Sequence, residues 1–397
     1  MRSSSRVLPL GPTCFAVLGL FIGVRLLVSF LPCESWGASG YICAGPYLFL
    51  PSDRTHTSTA NEAIPEGARL SNRLDFLTFR QERFTVDERG YRNGPGIKVD
   101  RPELVLFGSS FSLGMALKDE ETLTARLNRQ LGPIVYNAAT TLQPFFDPVH
   151  FANVARASGA ASGWILVEVV NRNSFNYFER PARESLPVRY FHELRAGFAA
   201  LQSGPLEPWT SLQRRIENSP ALTRLSTLLN MRIHDDRLLP NPFRDLYSEE
   251  QLITGRHVLI FSRDKEFSQR PADVRITARA LIRLRDALQR SGYHLAVILL
   301  PNAYSVYYPL LRHGTDGDAS ESYMADLYAR LSAASVPALN LLPPLRAAAR
   351  SYLSNGRMIY FPDDAHWNAL GCEIAAQCAA PWLRSLLARR SSSKVSP

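Results

Sequence analysis

The stretch Leu104-Val105-Leu106-Phe107-Gly108-Ser109-Ser110-Phe111 decides the fold, because it passes from an apolar strand directly into a tight turn. A short run of apolar residues bounded by turn residues is typical of a strand that is buried on both faces. A serine at a strand-to-helix turn presents its hydroxyl at the edge of the sheet, where nucleophiles are often found. The stretch therefore predicts a buried strand followed by Ser110 as a candidate nucleophile.

Apolar runs and helical periods alternate along most of the chain beyond this stretch. Further strands are predicted at 134–139, 164–170, 294–300 and 336–341. Helices are predicted at 119–131, 147–158, 273–291, 319–335 and 368–387, with Asp119 as the cap of the first. Such alternation indicates parallel strands covered by helices on both faces. We therefore expect the α/β class, as a three-layer α/β/α sandwich with a central, mostly parallel sheet.

A second segment, Asp363-Asp364-Ala365-His366-Trp367-Asn368, carries the groups that a serine nucleophile needs. A serine hydroxyl is a weak nucleophile, so a base such as His366 must remove its proton during attack. A carboxylate must orient the imidazole, and both Asp364 and Asp363 lie close enough in sequence to do so. The two segments together predict a catalytic triad for acyl transfer, with the choice of aspartate open.

Composition restricts the classes of protein that remain. The chain has 397 residues, 46% of them hydrophobic and 20% charged, which indicates a globular protein with a substantial core. Its net charge is +9, but no basic block contains interleaved aromatic residues, so we expect no nucleic-acid partner. There is no Cys-x-x-Cys and the eight histidines show no ligand spacing, so we expect neither a metal nor a cofactor.

The cysteines fall into two pairs apart from Cys14. Cys33 and Cys43 lie close together in the sequence and are able to form a disulfide if they reach an oxidising compartment. Cys372 and Cys378 are predicted to project from different faces of a helix and not to pair.

Residues 8–31 are mostly apolar and follow two arginines, Arg2 and Arg6. The run is close to the ~20 residues that a bilayer span needs, and its positive flank predicts a cytoplasmic N-terminus with the rest exported. We interpret 1–33 as an uncleaved signal-anchor helix; the alternative is a signal peptide cleaved near 37–40. The anchor predicts a single-pass protein of the inner (cytoplasmic) membrane with its catalytic domain in the periplasm.

The rest of the chain is divided by changes in composition. Residues 34–79 are interpreted as a linker and irregular lead-in, and 80–390 as the α/β catalytic domain. Within this domain, 174–255 is rich in proline and breaks the alternation, so we interpret it as an insertion that caps or flanks the site. The last residues, 391–397, are predicted to be a disordered tail.

Two pairs of side chains receive structural interpretations. Glu168 and Arg172, at the end of the third predicted strand, are interpreted as an ion pair rather than as contacts to an anionic polymer. Tyr304 and Tyr307 are interpreted as packing residues rather than as platforms for sugar rings.

The two reactive segments resemble the SGNH (GDSL-type) hydrolase superfamily. Its first block reads Gly-Asp-Ser-Phe/Leu, which Gly108–Phe111 matches with Ser109 in place of aspartate, and its last block reads Asp-x-x-His. The resemblance implies the SGNH, flavodoxin-like fold. It also implies oxyanion donors from the backbone of Ser110, from the backbone of Ala139 at the glycine position of the second block, and from Asn171 or Asn173 in the third.

Within that superfamily, the chain is most similar to the alginate O-acetyltransferase type, whose members acetylate exported polysaccharide. Asp364-Ala365-His366-Trp367 resembles the Asp-x-His-Trp of that group, which favours Asp364 as the triad acid. The segments 87–93 and 301–307 are also typical of it, although Ala303 replaces a lysine. The resemblance implies acetyl transfer to a polysaccharide acceptor, with the acyl donor supplied by an integral-membrane O-acyltransferase.

Two other functions fit the same residues. An SGNH esterase or deacetylase uses an identical triad and releases the acyl group to water, so catalytic residues alone do not separate it from a transferase. The replacements at Ser109 and Ala303 favour a non-catalytic polysaccharide-assembly subunit of the same fold. Among the three, acetyl transfer is the hypothesis that the motifs favour.

Overall fold

The computed structural model describes residues 58–63, 80–85, 87, 89, 91–94, 98–139, 147–171, 247–269, 273–314 and 319–393. The predicted anchor at 1–33, Cys33, Cys43, Asn173 and most of the predicted insertion lie outside these residues. None of the helices within them has both the length and the apolar character needed to cross a bilayer.

The strands of the described residues are β1 (Ser58–Ala63), β2 (Arg80–Phe84), β3 (Leu104–Phe107), β4 (Val135–Asn137), β5 (Gly163–Val170), β6 (Tyr247–Gln251), β7 (His257–Phe261), β8 (Tyr293–Leu300) and β9 (Ala338–Asn340). The α-helices are α1 (Ser110–Leu113), α2 (Leu123–Leu131), α3 (Pro148–Ala157), α4 (Ser262–Gln269), α5 (Val274–Arg290), α6 (Ala303–Tyr307), α7 (Ala319–Ala333), α8 (Leu342–Ser354) and α9 (Ala369–Ser393).

Five strands form the central sheet in the order β4-β3-β5-β8-β9, and all neighbouring strands run parallel. Numbered among themselves along the chain, they lie in the order 2-1-3-4-5, which is the flavodoxin-like order. The order reverses between β3 and β5, and ligands bind such sheets at the carboxyl ends of the strands on either side of a reversal. The predicted α/β class with a mostly parallel central sheet is therefore confirmed.

The helices that flank the sheet contact one another in two groups. Helices α2 and α8 both pack against α9, whereas α3 and α7 both pack against α5. Crossovers between parallel strands are right-handed, so connections that run in opposite directions along the sheet place their helices on opposite faces. Cys372 and Cys378, both in α9, are free thiols, as expected.

The core is centred on β5, in which all eight residues are buried. Apart from Trp164, its apolar side chains are the β-branched and leucine types that suit a strand covered on both faces. Burying each such side chain contributes about 1.5–3 kcal/mol. Glu168 is the exception in this strand, because it is a carboxylate with 1% of its surface exposed.

The start of α2 differs from the prediction. Thr122 is its N-cap, and its hydroxyl accepts from the Ala125 N–H at 3.2 Å. The predicted cap, Asp119, instead begins a 3-10 turn and accepts from the Thr85 hydroxyl at 2.7 Å and from Arg92 Nε at 2.9 Å. The prediction of Asp119 as the cap is wrong, because tertiary partners engage this carboxylate.

Segment boundaries also differ at three places. Strand β2 pairs with β1, which lies in the segment predicted as an irregular lead-in, 34–79. Strand β6, at the end of the predicted insertion, forms an antiparallel hairpin with β7. Helix α9 continues to Ser393, so the first residues of the predicted tail are helical.

Candidate active site

The two reactive segments meet at the carboxyl end of β3. Ser110 Oγ lies 2.7 Å from His366 Nε2, although 256 positions separate the two residues. Ser110 is partly exposed, whereas the imidazole is buried with 5% of the residue surface accessible. The contact is within hydrogen-bonding distance and within reach of a proton transfer.

The aspartate that contacts the imidazole is Asp364. Its Oδ1 lies 2.6 Å from His366 Nδ1 and also accepts from the His366 backbone N–H at 2.9 Å. An ionised carboxylate can only accept, so the hydrogen in the ring contact belongs to Nδ1 and the lone pair remains on Nε2. Asp363, the other candidate, is completely buried next to it.

Ser110 begins α1, a single helical turn. Ser109 precedes this turn as its N-cap, and Gly114 ends it in the left-handed conformation with φ 84°. This conformation favours glycine because it has no Cβ. The turn directs the Ser110 hydroxyl to the surface while Phe111 and Leu113 are buried beneath it.

We call residues 108–114 the nucleophile turn and residues 358–368 the histidine loop, and aromatic residues fasten one to the other. The Trp367 indole Nε1–H donates to the Phe111 carbonyl at 3.1 Å. The Phe111 ring packs against the imidazole of His366 with centroids 4.9 Å apart, and edge-to-face against Trp367 at 5.8 Å. Tyr360 forms a bridge with Trp367 across the loop. Packing and backbone contacts thus fix the position of the His366 imidazole.

The first residues of the histidine loop are held by Tyr307, whose hydroxyl accepts from the Ile359 N–H at 2.9 Å. Burial raises the pKa of Tyr307 to about 12, so the phenol stays neutral at physiological pH. Asn368 closes the loop by donating to the Met358 carbonyl at 2.7 Å. Tyr304 is also buried, so both tyrosines are placed as packing residues.

The Glu168 carboxylate, for which the sequence predicts an ion pair with Arg172, lies buried under the nucleophile turn. Glu168 accepts from the Ser109 N–H at 3.2 Å, the Ser109 hydroxyl at 2.5 Å and the Ser112 N–H at 2.9 Å. It also accepts from the Ser112 hydroxyl. Burial is the larger influence on its pKa and raises it, while these hydrogen bonds lower it. Arg172, its predicted ion-pair partner, lies outside the described residues.

Sequence reasoning missed this role of Glu168, although one signal was present. The only charged residue of an otherwise apolar, buried strand must find polar partners, because an unpaired buried charge is costly. One of the two strands next to β5 is β3, which ends at the nucleophile turn. The sequence thus signals that Glu168 has polar partners, and the pairing of β5 with β3 identifies them at positions 108–112.

Arg92 holds the chain just after the nucleophile turn. This guanidinium is completely buried and donates to three backbone carbonyls, those of Leu113 (3.1 Å), Gly114 (2.5 Å) and Leu117 (2.6 Å). Asp119 balances its charge through the Nε contact at 2.9 Å. The segment 113–117 is thus anchored by a buried ion pair.

Two of the predicted oxyanion donors are engaged elsewhere. The Ala139 N–H donates to the side chain of Asn137 at 3.0 Å. The Asn171 amide donates to Ser305 Oγ at 2.8 Å and accepts from the Asn302 N–H at 2.6 Å, which ties the end of β5 to the start of α6. The structure therefore does not present either group as a free donor beside Ser110.

The Ser110 backbone N–H differs from these groups. Within the described part of the chain, it has no hydrogen-bond partner. Asn173, the remaining candidate donor, lies outside the described residues.

A cavity of about 610 Å³ lies beside the histidine loop. Two cationic side chains, Lys118 and Arg357, line it together with Glu121, Phe361 and Asn368. Both cations are exposed, and Glu121 accepts from the Lys118 backbone N–H at 3.0 Å. In the ranges the structure describes, no three His, Cys, Asp or Glu side chains cluster closely enough to hold a metal ion.

The parallel sheet and the Ser–His–Asp contacts define an α/β protein with a site similar to that of SGNH hydrolases. In agreement, residues 252–395 match the family model described as an SGNH hydrolase-like domain, acetyltransferase AlgX. This range contains Asp364 and His366 but not Ser110, so the assignment of the serine depends on the geometry.

A relative points to a narrower group. The chain is 29% identical over 133 residues to a protein of Pseudomonas putida named "Probable alginate O-acetylase AlgJ". The aligned region covers 32% of this chain and 33% of that protein, so the chain matches about a third of the relative's length. The resemblance to the alginate O-acetyltransferase type of SGNH protein is thereby confirmed.

Proposed function

We propose that this protein is an O-acetyltransferase that moves an acetyl group onto a hydroxyl of an exported, alginate-type polysaccharide. The observation that carries the proposal is the continuous line of contacts from Ser110 Oγ through the His366 imidazole to Asp364 Oδ1. Such an arrangement activates a serine for attack on an ester carbonyl. The family match and the named relative support acetyl as the group transferred.

In the first half-reaction, Ser110 Oγ attacks the carbonyl carbon of the acetyl donor while His366 Nε2 takes the hydroxyl proton. Asp364 stabilises the resulting imidazolium and holds Nδ1–H in place. The negative oxygen of the tetrahedral intermediate accepts from the Ser110 N–H, which is available for this bond. As the intermediate collapses, Nε2 returns the proton to the leaving oxygen and acetyl remains on Ser110.

In the second half-reaction, a sugar hydroxyl takes the place of the leaving group. His366 Nε2 removes its proton as its oxygen attacks the acetyl-serine, and the same N–H binds the second oxyanion. Collapse breaks the bond to Ser110 Oγ, which recovers its proton from Nε2. The products are the acetylated sugar and the free enzyme.

The cavity beside the histidine loop supports an acidic acceptor. Lys118 and Arg357 outnumber the carboxylate of Glu121, so the cavity favours anionic groups such as the carboxylates of uronic acids. Phe361 supplies an apolar surface at the same place for the face of a sugar ring. The name of the Pseudomonas relative agrees with an acidic polymer.

We further propose that 1–33 anchors the protein in the inner membrane, with the catalytic domain in the periplasm. The acetyl donor then comes from an integral-membrane O-acyltransferase that carries acetyl groups across the membrane. The apolar run at 8–31 and its basic flank support the anchor.

The test uses the full chain purified in mild detergent, with p-nitrophenyl acetate as donor and oligomannuronate as acceptor. Release of nitrophenol measures acylation, and mass spectrometry of the oligosaccharide measures transfer. We expect acetylated oligosaccharide from the wild type and none from Ser110→Ala. Nitrophenol release with no acetylated product, at any acceptor concentration, would instead identify an esterase.

A third result would overturn both enzymatic functions. If Ser110→Ala protein releases nitrophenol as fast as the wild type, or restores polymer acetylation in cells that lack the gene, Ser110 is not the nucleophile. Unchanged polymer acetylation in cells would identify the chain as a non-catalytic assembly subunit.

A further inference from the structure

We infer that Glu168 is a positioning residue for the reaction, which holds the nucleophile turn so that the Ser110 N–H faces the oxyanion. The inference depends on the proposed function and adds to it a residue that lies two strand positions from the end of β5. The Glu168 carboxylate bonds to Ser109 and Ser112, and it acts through these two residues, which lie on either side of Ser110.

The first argument is the distribution of backbone donors in the turn. The N–H groups of Ser109 and Ser112 both donate to the Glu168 carboxylate. The N–H of Phe111 donates to Ser109 Oγ at 3.4 Å, and the same Ser109 hydroxyl donates to Glu168 at 2.5 Å. Of the four N–H groups at 109–112, that of Ser110 is the one left without a hydrogen-bond partner among the described residues.

The second argument is chemical. A carboxylate accepts without donating, so all four N–H and O–H groups of Ser109 and Ser112 are able to point at it. Hydrogen bonds to an ionised acceptor in a buried site are stronger and more restrictive than neutral ones. Ser109 and Ser112, on the two sides of Ser110, therefore have one arrangement in which all their donors reach the carboxylate. Glu168 thus fixes the conformation of the turn from its buried side.

The third argument is the space around the carboxylate. A Cβ added to Gly108 would lie 2.8 Å from Glu168 Oε2 and 2.7 Å from the Cβ of Ser112. Both distances are shorter than ordinary van der Waals contact, so a larger residue at 108 excludes the carboxylate from its position. The lack of a side chain at Gly108 therefore makes room for the Glu168 carboxylate under the turn.

The consequence for catalysis follows from geometry. An oxyanion donor must point at the place where the negative oxygen will form, and a displacement of about 1 Å can cost about 10²-fold in rate. Removing the acceptor at 168 frees the turn to rotate, and the Ser110 N–H then loses its alignment. Substrate binding is unaffected, because Glu168 lies beneath the turn and away from the solvent.

The test compares kcat and KM for p-nitrophenyl acetate among full-chain variants. Glu168→Gln keeps the size of the side chain but brings a donor amide against the donors of Ser109 and Ser112. We expect kcat to fall about 10²-fold with KM within about threefold of the wild type. The matched control is Glu250→Gln, which removes another buried glutamate that pairs with Lys265, and kcat should stay within about threefold.

A relocated carboxylate gives a sharper version of the test. Ser109 Oγ is 2.5 Å from Glu168 Oε1, so an aspartate at 109 brings its carboxylate directly against the side chain at 168. Ser109→Asp alone sets two carboxylates against each other, and kcat should fall as far as in Glu168→Gln. The double variant Ser109→Asp/Glu168→Gln has one carboxylate again and should recover at least about tenfold of kcat. A variant that was only destabilised would not show this recovery.

Three outcomes would overturn the inference: a kcat for Glu168→Gln within threefold of the wild type, an equal loss in Glu250→Gln, or no recovery in the double variant. A wild type without Ser110-dependent turnover would instead refute the proposed function. In that case, amide hydrogen exchange at 109–112 still decides the inference. We expect exchange at Ser109 and Ser112 to be at least tenfold faster in Glu168→Gln, and unchanged exchange would refute the positioning role.

Discussion

The nucleophile turn, 108–114, and the histidine loop, 358–368, supply the two halves of one site but are positioned by different forces. The turn is held from below by a buried carboxylate and from one side by a buried guanidinium. The loop is held by an aromatic cluster, a backbone bridge and the hydroxyl of Tyr307. The energy of a buried charge changes with pH and rises sharply when its partner is lost, whereas apolar packing does not titrate.

The difference implies that the two halves will fail in different ways. Loss of a charge under the turn leaves other buried polar groups unpaired and affects the whole domain. Loss of packing in the loop costs less but moves the base itself. Four predictions follow this contrast, from the largest effect to the smallest.

The largest effect is expected within the loop, from the choice of aspartate. Asp364→Asn should lower kcat by about 10⁴-fold, because the amide stabilises the wrong tautomer of His366. Asp363→Asn should lose at least tenfold less activity, with its cost appearing in stability. Steady-state kinetics on both variants measures the two losses, and a larger loss for Asp363→Asn would exchange their roles.

The next effect concerns the turn. Arg92→Met removes a buried cation and leaves the Asp119 carboxylate without its ionic partner. Breaking one side of a buried pair typically costs about 3–5 kcal/mol of the free energy of unfolding. Urea denaturation of the variant measures this loss, with the exposed pair residue Arg330→Met as control. A loss below about 1 kcal/mol would show that this ion pair does not anchor the turn.

A smaller effect is expected on the loop side. Trp367→Phe keeps an aromatic ring but loses the indole N–H that donates to the Phe111 carbonyl. The hydrogen bond contributes about 0.5–1.5 kcal/mol, and a similar loss in unfolding free energy should accompany a lower kcat. If the variant loses stability but keeps its kcat, the bond does not connect the two halves of the site.

The smallest effect is a dependence of stability on pH. Burial raises the pKa of Glu168 in the folded protein above its ordinary value, so the native state binds this proton more tightly than the unfolded chain does. As pH rises from the ordinary value through the raised one, the free energy of unfolding of the wild type should fall relative to Glu168→Gln.

Urea denaturation of both proteins between pH 4 and 8 measures this difference, because their remaining titrating groups are the same and cancel. A difference that rises with pH would mean that hydrogen bonds outweigh burial at Glu168.

Much of the fold was predictable because it depends on local patterns. Apolar runs located all five strands of the central sheet, and helical periods located α2, α3, α5, α7 and α9 to within a few residues at most of their ends. Helix α8 was not predicted, since two prolines follow its first residue, Leu342, and its apolar residues are interrupted by alanines. Helix propensity and hydrophobic periodicity in the sequence do not predict a helix that is stabilised mainly by tertiary packing.

The site was predictable in part for the same reason. Ser110, His366 and the two aspartates lie in short motifs, so their types and order pointed to the contacts that form. The role of Glu168 depends on which strands are neighbours, and this is not visible in the sequence around it. The failure at Ala139 has a local cause, because the Asn137 side chain turns back onto its own backbone and takes the expected donor.

The separation of 256 positions between the serine and the histidine also matters while the chain is being made. The serine leaves the ribosome long before its base does. Until the segment with Asp364 and His366 emerges and folds against α1, the hydroxyl remains an ordinary alcohol. If Ser110 is the nucleophile as proposed, a nascent or prematurely terminated chain cannot be acetylated there, and the serine becomes reactive when the last quarter of the domain has folded.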